Sequence, residues 1–279
     1  MACAVALTAL PALFRHRAEG HYRQGPTAAR VGASEADPLA AIVLGLAPLV
    51  GATPYDLRMR LAGPAPWVVA NTPDAAAAEA LVGHLRALGA GAVWCDHGAG
   101  AVRDPGPGAT VVLDGDTLRV VPQGWAVPFA SVALVVVVTL DVERQVEDIE
   151  RVVMSNHPRR GRVEVDVSRH NYARQQQRGV YLCVRGGDTV LRLVQGTLRV
   201  AEVHGVTSRA RFDTFVAQLV AMCPDARVDR RFVDAPRKRT SFALSSAVGQ
   251  AQDAVHSNLS STDLAVRLLA RAASEAQPL

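Results

Sequence analysis

The run SVALVVVVTL, which ends at Leu140, constrains the fold more than any other stretch of the chain. Its valines are branched at Cβ, so they lose side-chain freedom in a helix and pack well on a pleated strand. The longer uncharged run over residues 120–140 contains Pro122 and Pro128, which leaves about 12 apolar residues where a membrane-spanning helix needs about 20. The pattern therefore predicts a buried strand over residues 127–140 and no integral membrane segment.

Shorter strands flank this run on both sides. ATVVLDGDTLRVV predicts a hairpin that turns at Asp114 and Gly115, because an Asp-Gly pair between two alternating arms favours a tight turn. GVYLCVRGGDTVLRLVQGTLRV predicts three further strands separated by glycine-containing turns.

A helix is predicted after these strands, because the spacing of the apolar residues changes from that of a strand to that of a helix. Thr207 and Ser208 are helix caps, and Pro224 stops the helix. The apolar residues at helical spacing between them are Phe212, Phe215, Val216, Leu219 and Cys223.

Strands closed by one amphipathic helix, over residues 108–235, resemble a pleckstrin-homology-like barrel. Members of that family usually carry basic residues in the loop between their first two strands. This chain has Asp114, Gly115 and Asp116 there, and the two carboxylates repel a phosphoinositide headgroup. The resemblance therefore implies a protein-binding or structural barrel, and phosphoinositide binding is disfavoured.

The N-terminal part predicts the order strand, helix, helix, strand, helix, strand. Strands are expected at residues 3–10, at 65–71 and at GAVWC, and a helix at 38–50. Residues 14–37 are polar and glycine-rich, which indicates a mobile loop.

Two of these helices have clear start signals. Thr53, Pro54 and Asp56 cap the second helix, and Gly63 ends it. The third helix begins at Thr72, with Pro73 and Asp74 in its first turn. Its expected buried face consists of Ala78, Leu81, Leu85 and Leu88.

The segment APLVGATPYDLRMRLAGPAPWVVANTPDAAAAEALVGHLRALGAGAVWCD resembles the C-terminal domain of the bacterial ribosomal stalk protein and the adaptor of the Clp protease. The resemblance implies a small split α/β domain over residues 1–100. The stalk domain presents lysines to translation factors from its paired helices, and this chain has Arg58 and Arg60 in that region. The acidic residues with which the protease adaptor holds a peptide amine have no match here.

Residues 141–172 predict a short amphipathic helix. Val142, Val146, Ile149 and Val153 form an apolar stripe, and opposite charges recur at i, i+4. The arginines that follow include Arg159, Arg160 and Arg162, which we assign as binding residues for an acidic partner. A disordered arginine-rich loop is the alternative.

The C-terminal stretch, residues 236–279, predicts a flexible linker and a short amphipathic helix. The linker is rich in Ser, Ala and Gln, and the helix carries Leu264, Leu268 and Leu269 at helical spacing. A helix this short is marginal in water, so it either packs back on a domain or folds on a partner. We assign its three leucines as partner-binding residues.

Composition and motifs exclude several function classes. The formal net charge is +4, yet Lys238 is the only lysine, the arginines are scattered and aromatic residues make up 5%, a pattern that does not predict nucleic-acid binding. The four cysteines form no Cys-x-x-Cys pair, which argues against zinc and redox sites. No nucleophile-elbow, phosphate-loop, dinucleotide or metalloprotease motif occurs, so we expect neither catalytic residues nor a cofactor.

The sequence therefore predicts an α+β protein, in which a split β-α-α-β-α-β domain precedes an antiparallel β-barrel closed by a helix. We expect a non-enzymatic, bacterial, cytoplasmic adaptor or scaffold that binds another, unidentified protein. Two alternatives stay open. One is an enzyme with a site at the domain junction that recruits His97 or His204, and the other is a peripheral binder of anionic surfaces.

Overall fold

A computed structural model describes residues 3–10, 38–61, 63–96, 102–157, 161–186, 189–201, 207–234 and 259–279. The helices are α1 (Pro38–Leu46), α2 (Pro54–Arg60), α3 (Ala75–Ala87), α4 (Ser208–Met222), α5 (Arg231–Asp234) and α6 (Leu259–Ser274), and a 3-10 turn spans Phe129–Ser131. The first strands are β1 (Cys3–Ala9), β2 (Trp67–Thr72), β3 (Gly91–Asp96), β4 (Val102–Arg103), β5 (Ala109–Asp114) and β6 (Thr117–Val121). The remaining strands are β7 (Trp125–Pro128), β8 (Val132–His157), β9 (Gly161–Val184), β10 (Val190–Val194), β11 (Leu198–Val200) and β12 (Arg227–Arg230).

Sheet A is three-stranded and antiparallel, with strand order β2-β1-β3. Successive side chains of β1 point to opposite faces, as a pleated strand requires. Val5 and Leu7 pack into a core shared with α1, α2 and α3, whereas Ala6 packs into a separate cluster on the other face. Along the chain, the elements around this sheet follow one another in the order strand, helix, helix, strand, helix, strand.

The strands after β3 form two further sheets. Sheet B has the order β12-β8-β9-β10-β4, and sheet C has the order β11-β5-β6-β7. The protein is thus a mixed α+β structure with several sheets, as expected. Within the residues that the structure describes, the strands form separate open sheets and no closed barrel.

Helix α4 covers the core between sheets B and C. Thr207 caps it by accepting a hydrogen bond from the backbone N–H of Ala210 at 3.1 Å. Its buried side chains pack with those of the two sheets, among them Val135, Leu182 and Leu118. The predicted buried face of this helix, Phe212, Phe215, Val216, Leu219 and Cys223, is confirmed.

Helix α6 lies between sheets A and B. Leu268 and Ala272 pack with Ala6 and Val93 of sheet A. Ala265, Val266 and Leu269 pack with the face of sheet B that points away from α4, including Leu134, Val136 and Tyr181. This helix therefore completes the core of both sheets.

The predicted helix within residues 141–172 is wrong. β8 and β9 pair antiparallel along their whole length, and the register places Glu143 opposite Arg174 and Asp148 opposite Arg169. Opposite charges spaced four residues apart can pair on one face of a helix. Opposite charges on two neighbouring strands can equally pair across a hairpin. The β-branched valines then favour the hairpin.

Two smaller predictions for α3 also need correction. Its cap is Asp74, whose carboxylate accepts a hydrogen bond from the N–H of Ala77 at 2.8 Å, while Thr72 belongs to β2. The buried residues are Ala78, Val82 and Leu85, and Leu88 is 54% exposed. The hairpin turn of β5 and β6 is likewise displaced by one residue, to Gly115 and Asp116.

Among the described residues, no helix is both long enough and apolar enough to cross a membrane.

Candidate functional site

The helical hairpin of α1 and α2 begins with well-defined local structure. The Thr53 hydroxyl accepts a hydrogen bond from the N–H of Asp56 at 3.1 Å and donates one to the Asp56 carboxylate at 2.7 Å. Pro54 takes the first position of α2, where its missing N–H costs nothing. This capping fixes the start of α2 and therefore the direction of each of its faces.

The two faces of α2 differ sharply in burial. Leu57 and Leu61 lie four residues apart and are buried against sheet A and its helices. Tyr55 and Met59 also lie four residues apart but on the opposite side of the helix, and they are 72% and 59% exposed. The outer side of α2 therefore presents two large apolar side chains to solvent.

The same hairpin exposes two more apolar side chains, Leu44 of α1 and Leu49 of the turn after it. We call Leu44, Leu49, Tyr55 and Met59 the hairpin face. The other large apolar side chains that the structure shows as exposed are spread over separate elements, as Leu88, Val121, Met222 and Val228. Exposed apolar residues are thus concentrated in this one part of the described chain.

The segment that carries the hairpin face also contains charged side chains. Arg58 is exposed between Tyr55 and Met59 in sequence. The carboxylate of Asp56 accepts a hydrogen bond from the Thr53 hydroxyl, which holds it at the start of the helix. The face therefore combines apolar contact area with a cation, as surfaces that bind acidic amphipathic segments do.

The structure gives the predicted tail leucines a different role. Leu268 and Leu269 are fully buried, and Leu264 is partly buried against sheet A. Of the two alternatives for this helix, packing back on the rest of the chain is the one found. The assignment of these leucines as a partner-binding face is therefore corrected, because the sheets already cover them.

The predicted arginine site lies largely outside the residues that the structure describes. Arg162 lies in β9 with Asn156 as its register partner, and Arg159 and Arg160 lie outside the described residues. His97 and His204, the histidines of the enzyme alternative, lie outside them as well.

A buried polar cluster joins α6 to sheet B. The Tyr181 hydroxyl donates to Asp263 at 2.7 Å, and the Arg192 guanidinium donates to the other oxygen of Asp263 at 2.6 Å and also to Asp104. Burial, then the charge of Asp263 and the hydrogen bond to it, raises the pKa of Tyr181 well above its usual range. Burial also raises the pKa of Asp263, and Arg192 offsets this effect only in part.

This cluster anchors α6 to sheet B. Tyr181 is fully buried, so its hydroxyl is closed to a substrate. Burial would lower the pKa of Arg192, but Asp263 and Asp104 outweigh it and keep the guanidinium charged. All members of the cluster are thereby engaged with one another, which fixes α6 against sheet B.

The cysteines are poorly suited to nucleophilic chemistry. Burial raises the pKa of Cys183 to about 12, and burial likewise raises the pKa of Cys95 to about 11 although Arg267 acts in the opposite direction. Both thiols are therefore protonated at neutral pH, and only the thiolate is a good nucleophile or metal ligand. The described residues also contain no group of three or more His, Cys, Asp and Glu side chains placed to hold a metal ion.

Sequence reasoning missed the hairpin face and the polar cluster for different reasons. Tyr55 and Met59 carry a local signal, because they fall opposite Leu57 and Leu61 on a helix that was correctly placed. The cluster carries none, since Asp263 lies 82 residues from Tyr181 and 71 from Arg192.

No protein-family model, no curated protein and no solved structure matches this chain.

Proposed function

We propose that this protein is a non-enzymatic adaptor or scaffold that binds another protein through the hairpin face. One observation carries the proposal: Leu44, Leu49, Tyr55 and Met59 are exposed together on one helical hairpin. Single exposed apolar residues are ordinary, but a concentration of large ones with an aromatic residue and an arginine is typical of binding surfaces. Tyr55 and Met59 are the expected anchors, because aromatic side chains and Met supply much contact area.

The chemistry of the face indicates the partner. Apolar side chains must cover Tyr55 and Met59, and a carboxylate must approach Arg58. A second copy of this chain fits poorly, because a symmetric contact through the same face brings two Arg58 side chains together. The proposed partner therefore carries an acidic amphipathic segment.

The two resemblances belong to this proposal. The order of strands and helices around sheet A supports a stalk-like domain, and the position of α4 over sheets B and C supports a pleckstrin-homology-like domain. Both kinds of domain serve recognition in other proteins. A bacterial, cytoplasmic setting is part of the same proposal, since the four cysteines, all of them in the described residues, form no disulfide, as suits a reducing compartment.

The proposal does not include phosphoinositides or nucleic acid as ligands. The turn between β5 and β6 carries Asp114 and Asp116, and Arg119 is already paired with Asp114 at 3.0 Å. A phosphate group at this turn is repelled by the two carboxylates, and Arg119 is already engaged by Asp114.

Site-specific photo-crosslinking in cells tests the proposed face. p-Benzoylphenylalanine at Tyr55 replaces one exposed aromatic side chain with another, so the fold is kept. We expect a discrete crosslinked protein, identified by mass spectrometry, in which the crosslinked segment is acidic and amphipathic. Arg58→Glu should remove this product, since it reverses the charge that selects the partner.

Leu88 provides the matched control, because it is 54% exposed but lies on a different element, at the C-terminal cap of α3. The same crosslinker at Leu88 should give no discrete product. Equal products from both positions would mean that the contacts are non-specific. Products at neither position, or a product at Tyr55 that survives Arg58→Glu, would contradict the proposal.

A further inference from the structure

A second surface, independent of the hairpin face, lies under α4. An open cleft of about 240 Å³ separates this helix from β8, β9, the end of β12 and α5. Val137, Val216 and Val233 form its apolar wall, and Arg178, Arg230 and Asp213 supply its charges. The volume is below the roughly 300 to 1,000 Å³ of pockets that hold drug-sized ligands, so a ligand here must be small.

Arg178 is held in place for binding. One of its terminal nitrogens donates to the Thr139 hydroxyl at 2.8 Å, and that hydroxyl donates to the carbonyl of Val233 at 2.8 Å. This chain of hydrogen bonds orients the guanidinium at the wall of the cleft while its remaining N–H groups stay available within the described structure. A preorganised arginine loses less freedom on binding than a mobile one.

Arg230 supplies the second cation. It is exposed at the end of β12 and has neither a hydrogen bond nor an ion pair from its side chain among the described residues. Asp213 is the only described carboxylate in the cleft wall, and its ion pair with the exposed Arg209 is long, at 4.0 Å. The cleft therefore carries one net positive charge.

We propose that this cleft binds a small monocarboxylate with a short apolar chain. A carboxylate fits the planar donors of a guanidinium, and the valine wall covers an apolar chain. A phosphate dianion fits less well, because Asp213 repels its second charge and the valines offer it no hydrogen bond. An alkylammonium ion is repelled by the two arginines.

A titration of the full-length chain followed by NMR of its backbone amides tests this site. Hexanoate should give saturable shifts at residues 213–217 and 230–233, whereas inorganic phosphate and hexylammonium should give weaker binding or none. Arg230→Gln, which alters an exposed side chain, should weaken hexanoate binding by about tenfold or more, as loss of a charge-assisted hydrogen bond does.

Two substitutions at neighbouring positions of α4 distinguish binding in the cleft from an effect of the protein's overall charge. Ala217 is exposed and lines the cleft, so Ala217→Glu places a carboxylate where the ligand binds. This variant should lose at least about tenfold in hexanoate affinity, while Gln218→Glu, with the same added charge outside the cleft, should change it less than twofold. Shifts that do not saturate, equal effects of the two substitutions, or phosphate binding as tight as hexanoate would overturn the proposal.

Discussion

Helices α4 and α6 are both amphipathic, yet their apolar residues are buried in different ways. Phe212, Phe215 and Leu219 of α4 enter one core, formed by strands from the same part of the chain. Helix α6 has two buried stripes, one toward sheet A and the other toward sheet B. The apolar arc of α6 is therefore wide enough to pack against two surfaces, whereas the apolar arc of α4 packs into a single core.

The difference shows what the width of an apolar arc can indicate. Leu264, Leu268 and Ala272 recur every four residues and face sheet A, while Val266 and Leu269 occupy the adjacent stripe and face sheet B. A helix that needs only one partner surface has a narrower apolar face. A wide arc on a terminal helix is thus better evidence for packing between two layers than for a single binding groove.

Removal of residues 259–279 should have the largest effect. It uncovers apolar residues on sheets A and B and takes away the burial of Val266, Leu268 and Leu269, each worth about 1.5 to 3 kcal/mol. We expect a loss of at least about 5 kcal/mol, comparable with the whole stability of an ordinary domain. Urea denaturation measures it. An unchanged unfolding midpoint would mean that α6 does not belong to the core.

Single core substitutions sharpen the comparison of the two helices. Phe215→Ala in α4 should cost about 3 to 5 kcal/mol, and Leu269→Ala in α6 about 2 to 5 kcal/mol, because both side chains are fully buried. Chemical denaturation of the two variants provides the test. A large loss for Phe215→Ala with almost none for Leu269→Ala would show that α6 packs only loosely in solution.

Substitution of one carboxylate on each helix should give a smaller contrast. Asp263→Asn in α6 weakens the hydrogen bonds from Tyr181 and Arg192 and should cost about 1.5 to 3 kcal/mol. Asp213→Asn in α4 should cost less than about 0.5 kcal/mol, because Asp213 is exposed and its nearest cation is 4.0 Å away. Equal losses of unfolding free energy in the two variants would argue against the buried hydrogen bonds of Asp263.

The smallest effect is expected at the end of α6, as a dependence of stability on pH. Burial raises the pKa of Glu275, but hydrogen bonds from Arg86 and Arg271 outweigh it and hold the pKa below its usual value of 4.5. The folded state therefore favours the carboxylate, so its contribution is present above the unfolded pKa and is lost as pH falls through the folded pKa. Partial exposure limits this contribution to less than about 1 kcal/mol.

Glu275→Gln tests this predicted loss of stability toward acidic pH. Its free energy of unfolding is measured from neutral to acidic pH and compared with that of the parent. The variant should be less stable than the parent near neutrality, and the difference should shrink below the unfolded pKa. Glu79→Gln, at an exposed position of α3, is the control and should leave the free energy of unfolding at neutral pH nearly unchanged. A difference that grows toward acidic pH would mean that the Arg86 contact is misplaced.

Much of the fold could be predicted because its signals are local. Caps such as Thr53 and Thr207 satisfy backbone N–H groups within one turn, and the period of apolar residues reports which face of a helix or strand is covered. The hairpin face could have been inferred in part from the same rule. Tyr55 and Met59 lie opposite Leu57 and Leu61, although their exposure depends on what packs against α2.

By itself, the sequence determined the order of elements around sheet A, the buried strands near Leu140 and the buried face of α4. Tertiary structure decided the strand conformation within residues 142–157, where charges and valines fit both a helix and a hairpin and only a partner strand distinguishes them. It also decided that α6 is part of the core. The contacts of Asp263 join residues separated by more than 70 positions, and no local period encodes which distant surface a buried stripe will meet.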